Sequence, residues 1–290
     1  MDFTKQFVKA KNPCADGFRW FLRRCRDGGN YQELLDALVA EGRVNDAYWL
    51  LDQFGPTDAV LHLDDLEADA LVFAGTVHVR GNALLSDRIR IGRSLHVGAS
   101  VQAEGGIVVG EDLRAGATVR SAGPIAVGQD LRTLWHVEAG ASLRVGGEAR
   151  IGWELNAQGA VVVGRTLIVG HGVTAGDLVQ CGDALQVSGD VDAEGDITVG
   201  HGAVVRGHLT TAGHLSAGWG IRAGGTIRAA GAIRVGESLQ ADGELQAGPD
   251  YGVYAGLAVP RRAWDSSGWV RARHRPEALL SGQWLETMPV

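Results

Sequence analysis

Every sixth residue of this chain from Leu71 to Leu245 is aliphatic. The series runs Leu71, Val77, Ala83, Ile89, Leu95, Val101 and onward to Ile233, Leu239 and Leu245. It covers 30 positions, 27 of them Leu, Ile or Val and three of them Ala, and no insertion or deletion breaks the register. A period of six is neither the 3.6 of an amphipathic helix nor the simple alternation of a long strand. A fixed short period held over so many steps is the mark of a repeat architecture.

Two residues after each of these positions the residue is again small or apolar, as at Val97, Ala103, Val109 and Ala115; the exceptions Ser121, Thr133, Cys181 and Thr211 are small. The residue between is usually polar, as at Arg90, His96, Gln102 and Arg114. Each hexad therefore opens in–out–in, the period-two pattern of a three-residue strand. The rest of the hexad is rich in Gly, for example Gly110, Gly128, Gly146, Gly164, Gly200 and Gly236. Positive φ at sharp corners is the expected reason, since Gly reaches it without a steric penalty. Strand, corner, strand, corner describes an all-β solenoid, a three-sided β-helix. Three hexads make an 18-residue coil, so 30 hexads predict about ten coils, and roughly 45–50 Å of rod at about 4.8 Å per stacked strand.

Composition closes off other classes. Gly is 43 of 290 residues, but it does not recur every third residue and Pro is only 7, which excludes a collagen-like chain. With 45% hydrophobic and 21% charged residues the chain is too apolar for disorder. No run of about 18 apolar residues predicts a membrane span, and the first residues contain no apolar signal region. Three cysteines, Cys14, Cys25 and Cys181, fit a cytoplasmic location better than a disulfide framework. The net charge of −7 argues against nucleic-acid binding. It does not suggest a nucleic-acid mimic either, because residues 71–250 carry 18 acids interspersed with 14 arginines.

The rhythm [LIV]-x-[AV]-x-G-x over residues 71–250 resembles that of bactofilins, polymer-forming bacterial cytoskeletal proteins with a right-handed three-sided β-helix. That resemblance implies a right-handed coil and, as one function, a self-assembling scaffold. Left-handed hexapeptide acyltransferases are the other family with a similar rod. Their usual order places a large aliphatic inward residue before a small one, whereas Val-Gly-Glu-Ser-Leu-Gln (235–240) and Ala-Gly-Gly-Thr-Ile-Arg (223–228) reverse it. His171, His201, His208 and His214 are candidate bases under that alternative, but those enzymes usually carry a loop extruded from the hexads, and this chain keeps its register unbroken.

The two ends lie outside the rhythm. All three lysines and five of six Phe fall in residues 1–58. Phe18–Cys25 predicts a short amphipathic helix broken by Asp27-Gly28-Gly29. Asn30 predicts an N-cap for Tyr31–Glu41, with Leu34, Leu35, Leu38 and Val39 as the apolar stripe and Gly42 as C′. Asn45 predicts the cap of a further helix stopped by Gly55-Pro56. This segment, with Cys14-Ala-Asp-Gly-Phe-Arg-Trp-Phe-Leu22, is similar to short helical modules at the start of uncharacterised bacterial repeat proteins. Residues 1–58 are thus expected to form a helical cap, 59–259 the solenoid, and 260–290, with Trp264, Trp269, Trp284 and five Arg, a second cap. Two caps argue against an open filament.

Stacking places residues 18 apart above one another, so candidate surface columns follow from arithmetic. Arg114, Arg132 and Arg150 form one outward column, with Trp135, Trp153 and His171 in the neighbouring corner column and His136 beside them. Trp and Arg are the residues most enriched at interface hot spots, and stacked like charges ask for an anionic partner. These seven residues are the expected partner-binding face. The acidic run Asp190, Asp192, Glu194, Asp196 does not recur each coil, so it reads as a solvated patch rather than a Ca²⁺ site. The chain has no GxSxG, HExxH, P-loop or CxxC motif. The expectation is a non-enzymatic, protein-binding solenoid without metal or cofactor, monomeric or a small homo-oligomer. An inhibitor or immunity partner of a bacterial toxin or effector is one such protein; a bactofilin-like scaffold and a hexapeptide acyltransferase are the alternatives.

Overall fold

The computed structural model describes residues 5–24 and 30–286. Its body is a β-solenoid of three parallel sheets, here called A, B and C, with 13, 11 and 12 strands. The chain visits the sheets in turn, so each strand pairs with the one 18 residues on: Leu113↔Leu131 in sheet A, Val119↔Val137 in sheet B and Ile125↔Leu143 in sheet C. Of the 30 hexad positions, 29 are buried and Leu71, in the first strand of sheet C, is half-buried. Each coil therefore buries three aliphatic side chains, and each large one contributes about 1.5–3 kcal/mol relative to exposure. The buried hydroxyls are satisfied: Ser121 Oγ donates to Gly105 O at 2.7 Å, and Thr133 and Thr211 donate to Ala117 O and Gly195 O.

The rod is longer than the hexads. About 12 turns are present, where the repeat alone predicts ten. Val60–Leu63 and Leu66–Ala68 start sheets A and B ahead of the first hexad. Beyond residue 250, Val253–Tyr254 and Leu279–Ser281 extend sheet C, while Trp269–Arg271 and Gln283–Trp284 extend sheet A. Any extended segment can pair with an open edge, because the ladder is made by backbone groups and needs no side-chain rhythm.

The corner glycines have a different cause from the expected one. Among the described glycines, positive φ occurs at Gly42, Gly55, Gly256 and Gly282, none of them in a hexad corner. What the corners require is close approach. Between sheets C and A, glycine holds nine successive coils from Gly92 to Gly236. A Cβ added at any of them would lie 1.8–2.2 Å from the carbonyl oxygen of the coil before.

The helical module has four helices: α1 (Lys5–Ala10), α2 (Ala15–Arg24), α3 (Tyr31–Ala40) and α4 (Val44–Phe54). The sequence reading missed α1 and started α2 three residues late. Cys25 and the Asp27–Gly29 break lie outside the described residues. Asn30 caps α3 as expected, its side chain accepting from Gln32 N at 3.1 Å, and Gly42 is left-handed at φ +71°. The cap of α4 is Arg43, not Asn45.

This module docks on the first strand of sheet C, Leu71–Phe73. Val72 and Ala74 are buried in the helical core rather than in the solenoid. Gln32 on α3 seals the bare edge of that strand. Its Nε2 donates to Val72 O at 2.9 Å and its Oε1 accepts from Ala74 N at 3.0 Å. One side-chain amide thus stands in for a peptide of the missing preceding coil. Arg90, one coil on, pairs with Asp52 of α4. Sheet A, by contrast, begins with Val60–Leu63 and has no strand before it.

Candidate partner-binding face

The outward column of sheet A reads His62, His78, His96, Arg114, Arg132, Arg150, Ile168, Gln186, Val204, Arg222 and Gln240. The three expected arginines do stack on successive rungs, and about half of each side chain is exposed. They are not bare charges, however. Each is paired with the acid two residues before it: Arg114 with Asp112 at 3.3 Å, Arg132 with Asp130 at 3.8 Å, and Arg150 with Glu148. The aspartates also hold the corner, for Asp112 Oδ1 accepts from Asp130 N at 3.2 Å and Asp130 Oδ1 from Glu148 N at 2.9 Å. A ladder of acids therefore both orients and neutralises the arginine ladder, an offset that the column arithmetic overlooked.

Trp135 and Trp153 face outward at the corner between sheets A and B, 54% and 44% exposed, next to Leu134 at 69%. Trp153 stacks flat on His171, with ring centroids 4.7 Å apart and planes 6° apart. Trp135 lies 6.3 Å from His136, and His136 Nδ1 lies 3.9 Å from Glu154. All seven expected residues therefore share one surface.

The opposite border of sheet A carries a second aromatic stack. His201 stacks on Trp219 at 4.4 Å and 16°, and Trp219 is 54% exposed. Exposed Val204 lies on the sheet between the two borders. The histidine column was missed as well. His78 and His96 are 18 apart and reachable by the same arithmetic that gave the arginines, whereas His62 is 16 residues before His78 because the first coil is short. Sheet B holds a further groove, about 1000 Å³, along its corner with sheet C. From Ala103 to Ala247 its inward third position is Ala, Ser or Thr on nine successive coils, where sheet C carries Val on six of the ten coils from Phe73 to Val235.

Other candidates have structural work. His208 and His214 each accept a backbone N–H through Nδ1, from Thr226 at 3.0 Å and Ala232 at 2.9 Å. Asp190 and Asp196 accept from His208 N and His214 N, both at 2.7 Å. Cys181 is buried in the rod, and burial pushes its thiol up to about 12.

Residues 1–54 match the YdhT N-terminal domain. The YdhT match covers the four helices and stops ahead of the first strand at Val60, so it describes the module that seals sheet C and not the rod. It agrees with the similarity of this segment to N-terminal helical modules. The resemblance of the rod to bactofilins finds no family match in support. No curated protein and no solved structure matches the chain. Among the described residues no helix is long and apolar enough to cross a membrane.

Proposed function

We propose that the chain is a non-enzymatic, protein-binding solenoid that offers sheet A and its two borders to another protein. The observation that carries this reading is the clustering of exposed large apolar side chains: Leu134, Trp135, Trp153, Val204 and Trp219 lie on or beside this one sheet. Exposed Trp is costly to leave in water and is the residue type that most often anchors an interface. The paired arginines at the centre suit a partner whose acids can compete for the guanidinium forks. A rigid face of this kind suits masking of a partner's working surface, so within this reading we favour an inhibitor or immunity partner of a toxin or effector. The cytoplasmic location expected from the cysteines belongs to the same reading.

The test is affinity capture on the full chain against the variant Arg132→Glu/Trp153→Ala/Trp219→Ala. These positions are exposed, so the variant is expected to fold. A protein retained by the wild type and lost with the variant supports the face; identical capture by both removes it. A second reading, end-to-end self-assembly, is favoured by the outer edges of Val60–Leu63 and Leu66–Ala68, which have no strand partner among the described residues. Asp58, Asp64 and Asp65 beside them act against edge pairing. Sedimentation separates the two readings: a binder stays near 30.5 kDa at every concentration, and a scaffold grows.

A further inference from the structure

The first three rungs of sheet A hold a feature that the partner-face reading does not use. His62 and His78 lie 5.0 Å apart with rings 14° from parallel, and His78 and His96 lie 4.8 Å apart, edge to face. The three imidazoles line a cleft of about 480 Å³ with Arg80 at one border and Arg114 on the next rung. No carboxylate of the described residues lies within ion-pair distance of these three histidines. The acids nearby are engaged elsewhere, Asp64 with Arg80 at 2.9 Å and Asp112 with Arg114 at 3.3 Å. His96 Nε2 is buried and has no hydrogen-bond partner.

We propose that this cleft is a binding site for an elongated phosphate-bearing anion that lies along the rungs and is taken up more tightly as the histidines protonate. Four rungs span about 14 Å, so the cleft fits a chain of charges better than a single one. Stacked imidazoles resist charging together, and His96 is held below the usual histidine range. Burial, His78 and Arg114 do this to His96, with Asp112 acting weakly the other way. An anion bridging the rungs relieves that repulsion. Protonation would then turn the column His62–Arg150 into six successive cations, three of them unpaired by the chain's own acids. The site shares Arg114 with the partner face but does not depend on that reading.

Inorganic tripolyphosphate is the probe. It is titrated calorimetrically into the full chain at low salt, at pH 5.5 and pH 8.0. Saturable binding at one site per chain is expected, at least tenfold tighter at pH 5.5. His78→Gln/His96→Gln should weaken it at least tenfold; Gln already occupies this column at Gln186 and Gln240, so the variant keeps the rung geometry. Arg234→Gln, on the outward column of sheet C and outside the cleft lining, should leave it unchanged. Citrate is the second arm and separates phosphate from carboxylate anions. No saturable binding, equal binding at both pH values, full binding by the double variant, or citrate bound as tightly as tripolyphosphate would each overturn the proposal.

Discussion

Replacing Gln32 by Ala tests how the helical module protects the end of the rod. The substitution removes two hydrogen bonds to the edge of Leu71–Phe73, at 2.9 and 3.0 Å. Each leaves a backbone group of a buried residue without its partner, a loss of about 1–3 kcal/mol when water cannot replace it. The space vacated by the Gln32 side chain lets water replace these bonds in part, and Ala is a slightly better helix former than Gln, by a few tenths of a kcal/mol. The net expectation is about 2 kcal/mol, close to a 30-fold change in an opening equilibrium. The assay is native-state amide exchange followed at Ala74, whose N–H is the donor to Gln32 Oε1. Gln32→Glu keeps that acceptor, but it loses the donor to Val72 O and sets a carboxylate against Asp36, which now accepts from Nε2 at 2.7 Å. It should loosen the edge at pH 7 and recover below about pH 4, where a protonated Glu can donate again. If Ala74 exchanges within threefold of the wild-type rate in both variants, Gln32 does not seal the edge and the module is held by Val72 and Ala74 alone.

Three further outcomes follow from the same geometry. Gly164→Ala places a Cβ 2.1 Å from Gly146 O and should cost about 2 kcal/mol in urea unfolding through lengthened inter-coil bonds, whereas Gly172→Ala, with nothing nearer than 3.6 Å, should be neutral or slightly stabilising. Cys181 should resist thiol reagents at pH 8 until the rod unfolds, since burial holds its thiol near 12; rapid native labelling would contradict this. Because His96 is held below its unfolded value of about 6.5, the folded state binds fewer protons, so stability should fall as pH drops through that value without added anion; His96→Gln should flatten the loss in thermal melts.

The rod was legible because burial imposes its period directly: an inward aliphatic every six residues is the cause of the coil and also its trace in the sequence. The arginine column and the tryptophan corner column were legible for the same reason, since stacking turns a spacing of 18 into adjacency; the direction in which the tryptophans face was not. Features that depend on the path of the backbone were not. Glycine at the C–A corner reads equally well as a positive-φ residue or as a close-approach residue, and only the distance to the carbonyl below separates them. Asp112, Asp130 and Glu148 stand two residues before their arginines, in a different column, so reading down columns hid the pairing. Gln32 gives no local signal, because its partners lie 40 and 42 residues on and the bond is made by docking.

The two halves of the sheet A column differ in how their charge is handled, and that difference is testable. Stacked like charges are unfavourable on adjacent strands, so a run of cationic rungs needs an offset. The arginine half has an internal one in Asp112, Asp130 and Glu148; the histidine half has none from the described residues and can hold neutral imidazoles instead. Removing the internal offset should therefore convert the arginine half into a second anion site. Asp112→Asn/Asp130→Asn/Glu148→Gln does this while keeping the side-chain oxygens that accept Asp130 N and Glu148 N, so the corners stay tied. Tripolyphosphate titrated into this variant at pH 8.0, above the ordinary histidine range, should bind with a stoichiometry of one, and that binding should vanish with Arg132→Gln added. If the variant binds no more anion than the wild type at that pH, the acids are not what keeps the arginine rungs closed to external anions, and the contrast between the two halves has another origin.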